Sequence, residues 1–70
     1  MRSPTTETTI AELNVLVEQM ERYRERVGGL AVPHLGTDRE DLVAVIYEAE
    51  RAVLSAARTL RRAAKVASTS

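Results

Sequence analysis

The apolar residues of this chain form two helical patterns, separated by a segment rich in Gly and Pro. In the first pattern, Ile10, Leu13, Val17, Met20 and Val27 recur mostly at steps of three and four residues, which places them on one face of an α-helix. We expect this helix to cover residues 8–27. The seven residues before it are predicted to be disordered or frayed.

Start and stop signals support these bounds of the first helix. Thr9, followed three residues later by Glu12, fits a capping box in which each side chain satisfies a free backbone N–H. Gly28 and Gly29 are predicted to stop the helix, because glycine takes the left-handed C-cap conformation without steric cost. An earlier start at Ser3-Pro4 is the alternative, since proline is accepted at the first helical position.

A connection over residues 28–37 is expected between the two patterns, because Pro33 excludes a continuous helix. Thr37 and Glu40 form a second candidate capping box. Asp38 and Asp41 add negative charge at the positive end of the helix dipole. A second helix is therefore predicted over residues 38–67, with fraying at residues 68–70.

The apolar pattern of the second helix is the more regular of the two. Large residues alternate with alanines in unbroken steps of four and three residues: Leu42, Ile46, Ala49, Val53, Ala56, Leu60, Ala63 and Ala67. This is a heptad seam with large residues at one core position and Ala at the other. Such small residues allow a facing helix to approach closely.

These elements predict an all-α protein with a single domain over residues 8–67. A short connection makes consecutive helices antiparallel neighbours, so the expected fold is a two-helix hairpin with a longer, Ala-rich second helix. Counting back from the connection places Met20 and Val17 beside Ile46 and Ala49. Leu13 then lies beside the following part of the second helix.

One neighbouring helix cannot cover all the apolar residues of the second helix. Val43, Tyr47 and Leu54 lie on one side of the seam, and Val45 and Val66 lie on the other. Two hairpins that pack about a two-fold axis would form a four-helix bundle and bury the remainder. A homodimer is therefore the favoured oligomer, and a lone hairpin with surface apolar residues is the alternative. The predicted packing seam and dimer interface comprises Leu42, Ile46, Tyr47, Ala49, Val53, Leu54, Ala56 and Leu60.

The composition makes association more plausible than a lone hairpin. The chain has 70 residues, no Phe, Trp or Cys, and only two Tyr. A core of this size supplies roughly 3–5 kcal/mol, and no disulfide or thiolate metal site adds to it. Self-association or a protein partner is the remaining source of stability.

Charge and hydropathy exclude several classes of protein. The formal net charge is zero, unlike that of a generally basic nucleic-acid coat protein. No uncharged run approaches the roughly 20 apolar residues that span a bilayer, and the first residues lack the apolar core of a signal peptide. We expect a cytoplasmic protein with no membrane contact.

Candidate catalytic chemistry is sparse in this sequence. His34 is the only histidine, and no second ligand stands at metal-binding spacing from it. The sequence has no Ser-His-Asp set, no phosphate-binding Gly-rich loop and no HExxH motif. We therefore predict a protein that is not an enzyme and that has no cofactor, no metal site and no catalytic residue.

Arg24 is the one charged residue within the apolar stripe of the first helix. Three roles are open to it: its stem lies along apolar surface with the charge in water, it pairs with an acid such as Glu50, or it sets the register of a dimer. A site for an anionic ligand is a further alternative, ranked below these structural roles.

Charge is distributed unevenly along the chain. Residues 51–67 contain five bases and no acid: Arg51, Arg58, Arg61, Arg62 and Lys65. Clustered cations neutralise phosphates, so these residues are the candidate anion or nucleic-acid contact. Two structural explanations compete, because cations near a helix C-terminus oppose the helix dipole favourably and Glu7 or Glu12 can neutralise them from the first helix.

Together these patterns predict a small helical protein–protein interaction module that acts as an oligomer. A regulator, an assembly adaptor and a phage-type accessory protein all fit this description. The alternative function is a nucleic-acid-binding accessory factor that uses the basic end of the second helix.

Overall fold

A computed structural model describes residues 3–69 of the chain. It consists of two α-helices that pack against each other as an antiparallel hairpin: α1 (Pro4–Gly29) and α2 (Glu40–Ser68). A 3-10 turn (Val32–His34) lies between them. No strand occurs among the described residues. The predicted all-helical hairpin is confirmed.

Helix α1 begins four residues before the predicted start at Thr8. Ser3 is the N-cap, and its hydroxyl oxygen accepts a hydrogen bond from the backbone N–H of Thr6 at 3.2 Å. Pro4 occupies the first helical position, so the earlier of the two starts is the one adopted. Thr9 therefore lies inside the helix, where its hydroxyl donates to the carbonyl of Thr5 at 3.0 Å. The capping box predicted for Thr9 and Glu12 is wrong.

The connection between the helices does not begin at the Gly pair as predicted. Gly28 and Gly29 are both helical, and Leu30 continues in a right-handed conformation. The helix ends here because Pro33 has no N–H with which to extend the ladder. The left-handed residue is instead Gly36, at φ +73°, where a side chain would be strained.

Helix α2 begins at Glu40, two residues after the predicted start. Thr37 does not cap the helix, because its hydroxyl accepts from the N–H of Arg39 at 3.1 Å and donates to the carbonyl of His34 at 2.6 Å. Thr37 therefore stabilises the loop rather than the helix. Glu40 and Asp41 lie in the first turn, at the positive end of the helix dipole.

Two contacts establish the register of the hairpin. Arg61 donates a hydrogen bond to Glu21 across the helix pair. Nearer the connection, Gly28 lies directly against the carboxylate of Glu50, and a Cβ on Gly28 would collide with that group. The predicted register placed Met20 beside Ile46. That register is wrong, because residue 21 lies opposite residue 61.

This register makes the hairpin staggered. A helix of 29 residues is about 44 Å long, whereas the molecule extends over 57 Å. The first turns of α2 project beyond the end of α1, and the connection folds back to cover them. Ala31 is fully buried there, and Val43 is 8% exposed. The loop thus completes a core that α1 alone does not reach.

The core lies along one row of α2 and one row of α1. Its buried apolar residues are Val17, Ala31, Val43, Ala57 and Ala64. The large residues predicted for the seam, Ile46, Val53 and Leu60, are half-buried.

The alanines predicted for the seam do not face α1. Ala49, Ala56 and Ala63 are all exposed, and Ala57 and Ala64 take the covered position one residue later in each heptad. With α2 turned in this way, the hairpin also covers part of Tyr47 and Leu54, which are half-buried. Covering these larger side chains removes more apolar surface from water than covering alanines would.

Candidate interaction surface

The contact between Glu21 and Arg61 distinguishes the two long sides of the hairpin. Residues two positions apart in an α-helix point about 200° apart. Tyr23 therefore lies on the opposite side of α1 from Glu21, and Ala63 lies on the opposite side of α2 from Arg61. Since Glu21 and Arg61 share one side, Tyr23 and Ala63 share the other.

On α1, this second side carries large exposed apolar residues at seven-residue spacing. Leu16 is 37% exposed, Tyr23 is 46% exposed and Leu30 is 63% exposed. The guanidinium carbon of Arg26 lies 5.9 Å from the centre of the Tyr23 ring, within the range of a cation–π contact. Tyr23, Arg26 and Leu30, together with Val27, line a shallow groove at the end of α1.

On α2, the same side is formed by small and β-branched residues. Val45 and Val66 are 62% and 67% exposed, and exposed alanines fill the positions between them. We call the whole surface the apolar side. It comprises Leu16, Tyr23, Leu30, Val45, Ala49, Ala52, Ala56, Ala63 and Val66.

No charged residue interrupts the apolar side on α2. From Val45 onward, the surface positions at steps of four and three residues are Ala49, Ala52, Ala56, Thr59, Ala63 and Val66. Single exposed apolar residues are common on proteins, but a contiguous exposed apolar patch marks an interaction site. The long axis of this patch follows α2.

The remaining residues predicted for the dimer interface lie elsewhere. Leu42 is half-buried at the start of α2, and Tyr47 and Leu54 are half-buried on the side that the rest of the hairpin covers. Tyr47 and Leu54 had been placed at the association surface. Of the predicted interface, Ala49 and Ala56 are the members that the apolar side contains.

The basic residues of α2 form a row on the other side of the hairpin. Arg51, Arg58 and Lys65 recur every seven residues and are exposed, as is Arg62 nearby. Arg61 pairs with Glu21, whereas the other four have no ion pair among residues 3–69. Glu12 forms no ion pair with this row among residues 3–69.

Arg24 and Glu50 do not form the predicted alternative ion pair. Arg24 is exposed, and the carboxylate of Glu50 is half-buried against Gly28. The contact between Gly28 and Glu50 was not predicted from the sequence, because it depends on the stagger of the helices. The sequence predicts Leu16 and Tyr23 at the edge of the apolar stripe of α1 but does not predict the row formed by Leu16, Tyr23 and Leu30 as an interaction surface, although its seven-residue spacing is visible.

His34 is half-buried in the 3-10 turn. Within residues 3–69, no three His, Cys, Asp or Glu side chains come together as a metal site. The pKa of Asp41 lies below the usual 3.8, because the Arg39 side chain donates a hydrogen bond to its carboxylate at 3.2 Å and the Leu42 N–H donates another.

Neither α1 nor α2, as far as the structure describes them, has the length and hydrophobicity needed to cross a membrane. Comparisons with protein-family models, with curated proteins and with solved structures found no match to this chain.

Proposed function

We propose that this chain is a small non-enzymatic module that binds protein through its apolar side and acts as an oligomer. The observation that carries the proposal is the segregation of the exposed residues. Among the described residues, five of the eight large exposed apolar side chains lie on the apolar side, whereas Glu21, Arg61 and the basic row occupy the other side. A side that binds protein must be desolvated, and apolar groups lose least on desolvation.

The small core of the hairpin supports the same proposal. None of its buried residues is larger than Val, and no large side chain is fully buried among the described residues. A single chain therefore gains little from apolar burial on folding. Binding of a partner to the folded hairpin stabilises it by mass action.

The first test is the solution mass by light scattering after size exclusion, at low and moderate salt. An apolar interface predicts an oligomer whose mass does not change with salt, because screening acts on charges. The critical variant is Leu16→Glu, which places a charge on the apolar side. Its matched control is Asn14→Glu, two residues away on the opposite side of α1, with helicity of both variants checked by circular dichroism.

The proposal predicts that Leu16→Glu weakens association at least tenfold and that Asn14→Glu does not. If the chain has the mass of a monomer, the oligomer in the proposal is wrong, and the same pair of variants then tests protein binding by affinity capture. Binding through the apolar side requires a captured protein that Leu16→Glu loses and Asn14→Glu keeps. A monomer with no such captured protein contradicts it.

The alternative function, a nucleic-acid accessory factor, is favoured by the basic row, in which Arg51, Arg58, Arg62 and Lys65 form no ion pair among residues 3–69. Contacts from Arg51, Arg58 and Lys65 to three phosphates would give a slope of log affinity against log salt of about −2.7 for a duplex and about −2.1 for a single strand. The test titrates a fluorescent oligonucleotide, single-stranded or duplex, over a range of salt concentrations. Arg58→Glu should abolish binding, and Arg26→Glu on α1 is the matched control for charge. Binding that ignores salt and Arg58→Glu contradicts this function.

A further inference from the structure

We propose that the partner of the apolar side is a second copy of this chain, packed antiparallel along α2 with a two-fold axis beside Ala56. This inference rests on the proposed function and identifies the protein that the apolar side binds. Three features of α2 support it: the symmetry of its exposed apolar row, the charges beside that row, and the area available.

The exposed apolar row of α2 matches itself when its direction is reversed. Ala49 and Ala63 each lie seven residues from Ala56, and Val45 and Val66 lie eleven and ten residues from it. A two-fold interface uses the same surface on both copies, so residues equidistant from the axis meet. Ala49 of one copy would face Ala63 of the other, and Val45 would face Val66. An unrelated partner would not require this symmetry.

The sizes of these residues also suit contact between two helices. Alanines around the axis allow the backbones to approach toward the short end of the 8–10 Å range. The valines at both ends are larger, and they fill the space where two straight helices diverge. Val45 and Val66 are the exposed large apolar residues of the described part of α2, so each buries more apolar area than an alanine does.

The charges that border the row are complementary only in the antiparallel orientation. Glu48 follows Val45 by three residues and Arg62 precedes Val66 by four, so both lie along the same edge of the row. Both are exposed, and neither has an ion pair among residues 3–69. Reversal about Ala56 brings Glu48 of each copy near Arg62 of the other. In a parallel pair, Glu48 and Arg62 would stay about 21 Å apart along the helix axis, so these charges would not pair.

The area of the apolar side is sufficient for a specific dimer. The last turns of α1 lie beside Glu50, so the surface is two helices wide from about residue 50 to Val66, about 24 Å by 20 Å, and one helix wide over the turn before it. Such a contact covers roughly 560 Å² on each copy, so a dimer buries about 1,100 Å² in total, above the roughly 1,000 Å² expected of a specific interface. Leu16 and Tyr23 lie within it on α1.

A cysteine at the axis tests the arrangement directly. The wild-type chain has no cysteine, so Ala56→Cys introduces a single thiol that meets its own copy across a two-fold axis. Mild oxidation should convert most of this variant to a disulfide-linked dimer, because small residues bring the backbones within disulfide reach. Ala44→Cys, an exposed alanine away from the apolar side, is the matched control and should remain mostly uncrosslinked.

Charge reversal tests the orientation by a separate measurement. Glu48→Arg and Arg62→Glu each remove two ion pairs per dimer and create repulsion, so each should weaken dimerisation by about tenfold in sedimentation equilibrium. The double variant restores opposite charges and should recover near wild-type affinity. Recovery in the double variant is not expected from two unrelated surface effects.

The outcomes separate this inference from the proposed function. A monomeric chain, or a dimer in which Ala56→Cys does not cross-link and the charge reversals have no effect, overturns the two-fold arrangement. The proposed function is then judged on its own variants, Leu16→Glu and Asn14→Glu. Cross-linking at position 56 together with recovery in the double charge variant supports the arrangement.

Discussion

Two rows of alanine run along α2, one residue apart in sequence, and they have opposite environments. Ala57 and Ala64 are 1% and 6% exposed, whereas Ala56 and Ala63 are exposed. A rotation of α2 by about 100° about its axis would exchange them. The apolar surface of α2 is therefore wider than the surface that one neighbouring helix covers. The flank with Ala56 and Ala63 remains exposed to solvent.

The largest difference in stability between the two alanine rows is expected when a larger side chain is added to each. Ala57→Leu adds bulk where α1 already lies, so it should lower the free energy of unfolding by about 1–3 kcal/mol. Ala56→Leu should change it by less than about 0.5 kcal/mol, because the added atoms meet solvent within one chain. Chemical denaturation, at concentrations where the chain has the mass of a monomer, measures both variants. Equal destabilisation would show that α2 is rotated differently.

Gly28 and Gly29, at the end of α1, are also adjacent residues with different surroundings, and the expected difference in stability is smaller. A Cβ on Gly29 meets nothing within 4 Å, whereas a Cβ on Gly28 collides with the carboxylate of Glu50. Gly29→Ala should therefore raise the free energy of unfolding by up to about 1 kcal/mol, the helical preference for Ala over Gly. Gly28→Ala should gain less, because Glu50 must move away.

Removing the Glu50 carboxylate provides the control for this pair. In a Glu50→Ala background, Gly28→Ala and Gly29→Ala should raise the melting temperature by similar amounts. A difference that persists in that background would mean that Glu50 does not lie against Gly28. The register of the hairpin would then be incorrect.

The smallest effect is expected at the solvated start of α2, where no apolar burial is involved. The pKa of Asp41 is lowered by its hydrogen bonds from Arg39 and the Leu42 N–H. Its stabilising contribution is therefore complete above pH 3.8 and is lost as the pH falls through the lower pKa of the folded state. Asp41→Asn should remove this part of the acid dependence, measured by helicity between pH 5 and 2. An unchanged acid transition contradicts it.

Local signals in the sequence predict both helices and the break between them. The steps of three and four residues identify both helices, and Pro33 identifies the break between them. The first and last residues of each helix are predicted less accurately, because more than one nearby residue is suited to cap the helix. Ser3 is used rather than Thr9, and Gly36 rather than Gly28 takes the left-handed conformation.

The surface was predicted only in part. The sequence shows that α2 is too apolar for one neighbour, and the structure leaves Val45 and Val66 exposed, as this requires. Tyr47 and Leu54 were assigned to the association surface, but they lie on the covered side. A place on the association surface and a place on the covered side both fit a heptad pattern for Tyr47 and Leu54. Periodicity alone therefore does not choose between these two orientations of α2.

A helical hairpin follows from the local pattern of the chain, because periodicity, glycine and proline act through neighbouring residues. Which row of α2 faces α1, and how far the two helices are staggered, depends on packing between the helices. Two possible seams share Ile46, Val53 and Leu60. One seam adds Ala49, Ala56 and Ala63 to these residues, and the other adds Ala57 and Ala64. The second is adopted because it also covers part of Tyr47 and Leu54, and because Gly28 has no side chain and so leaves space for Glu50. These are contacts between residues distant in the chain, so no local pattern encodes them.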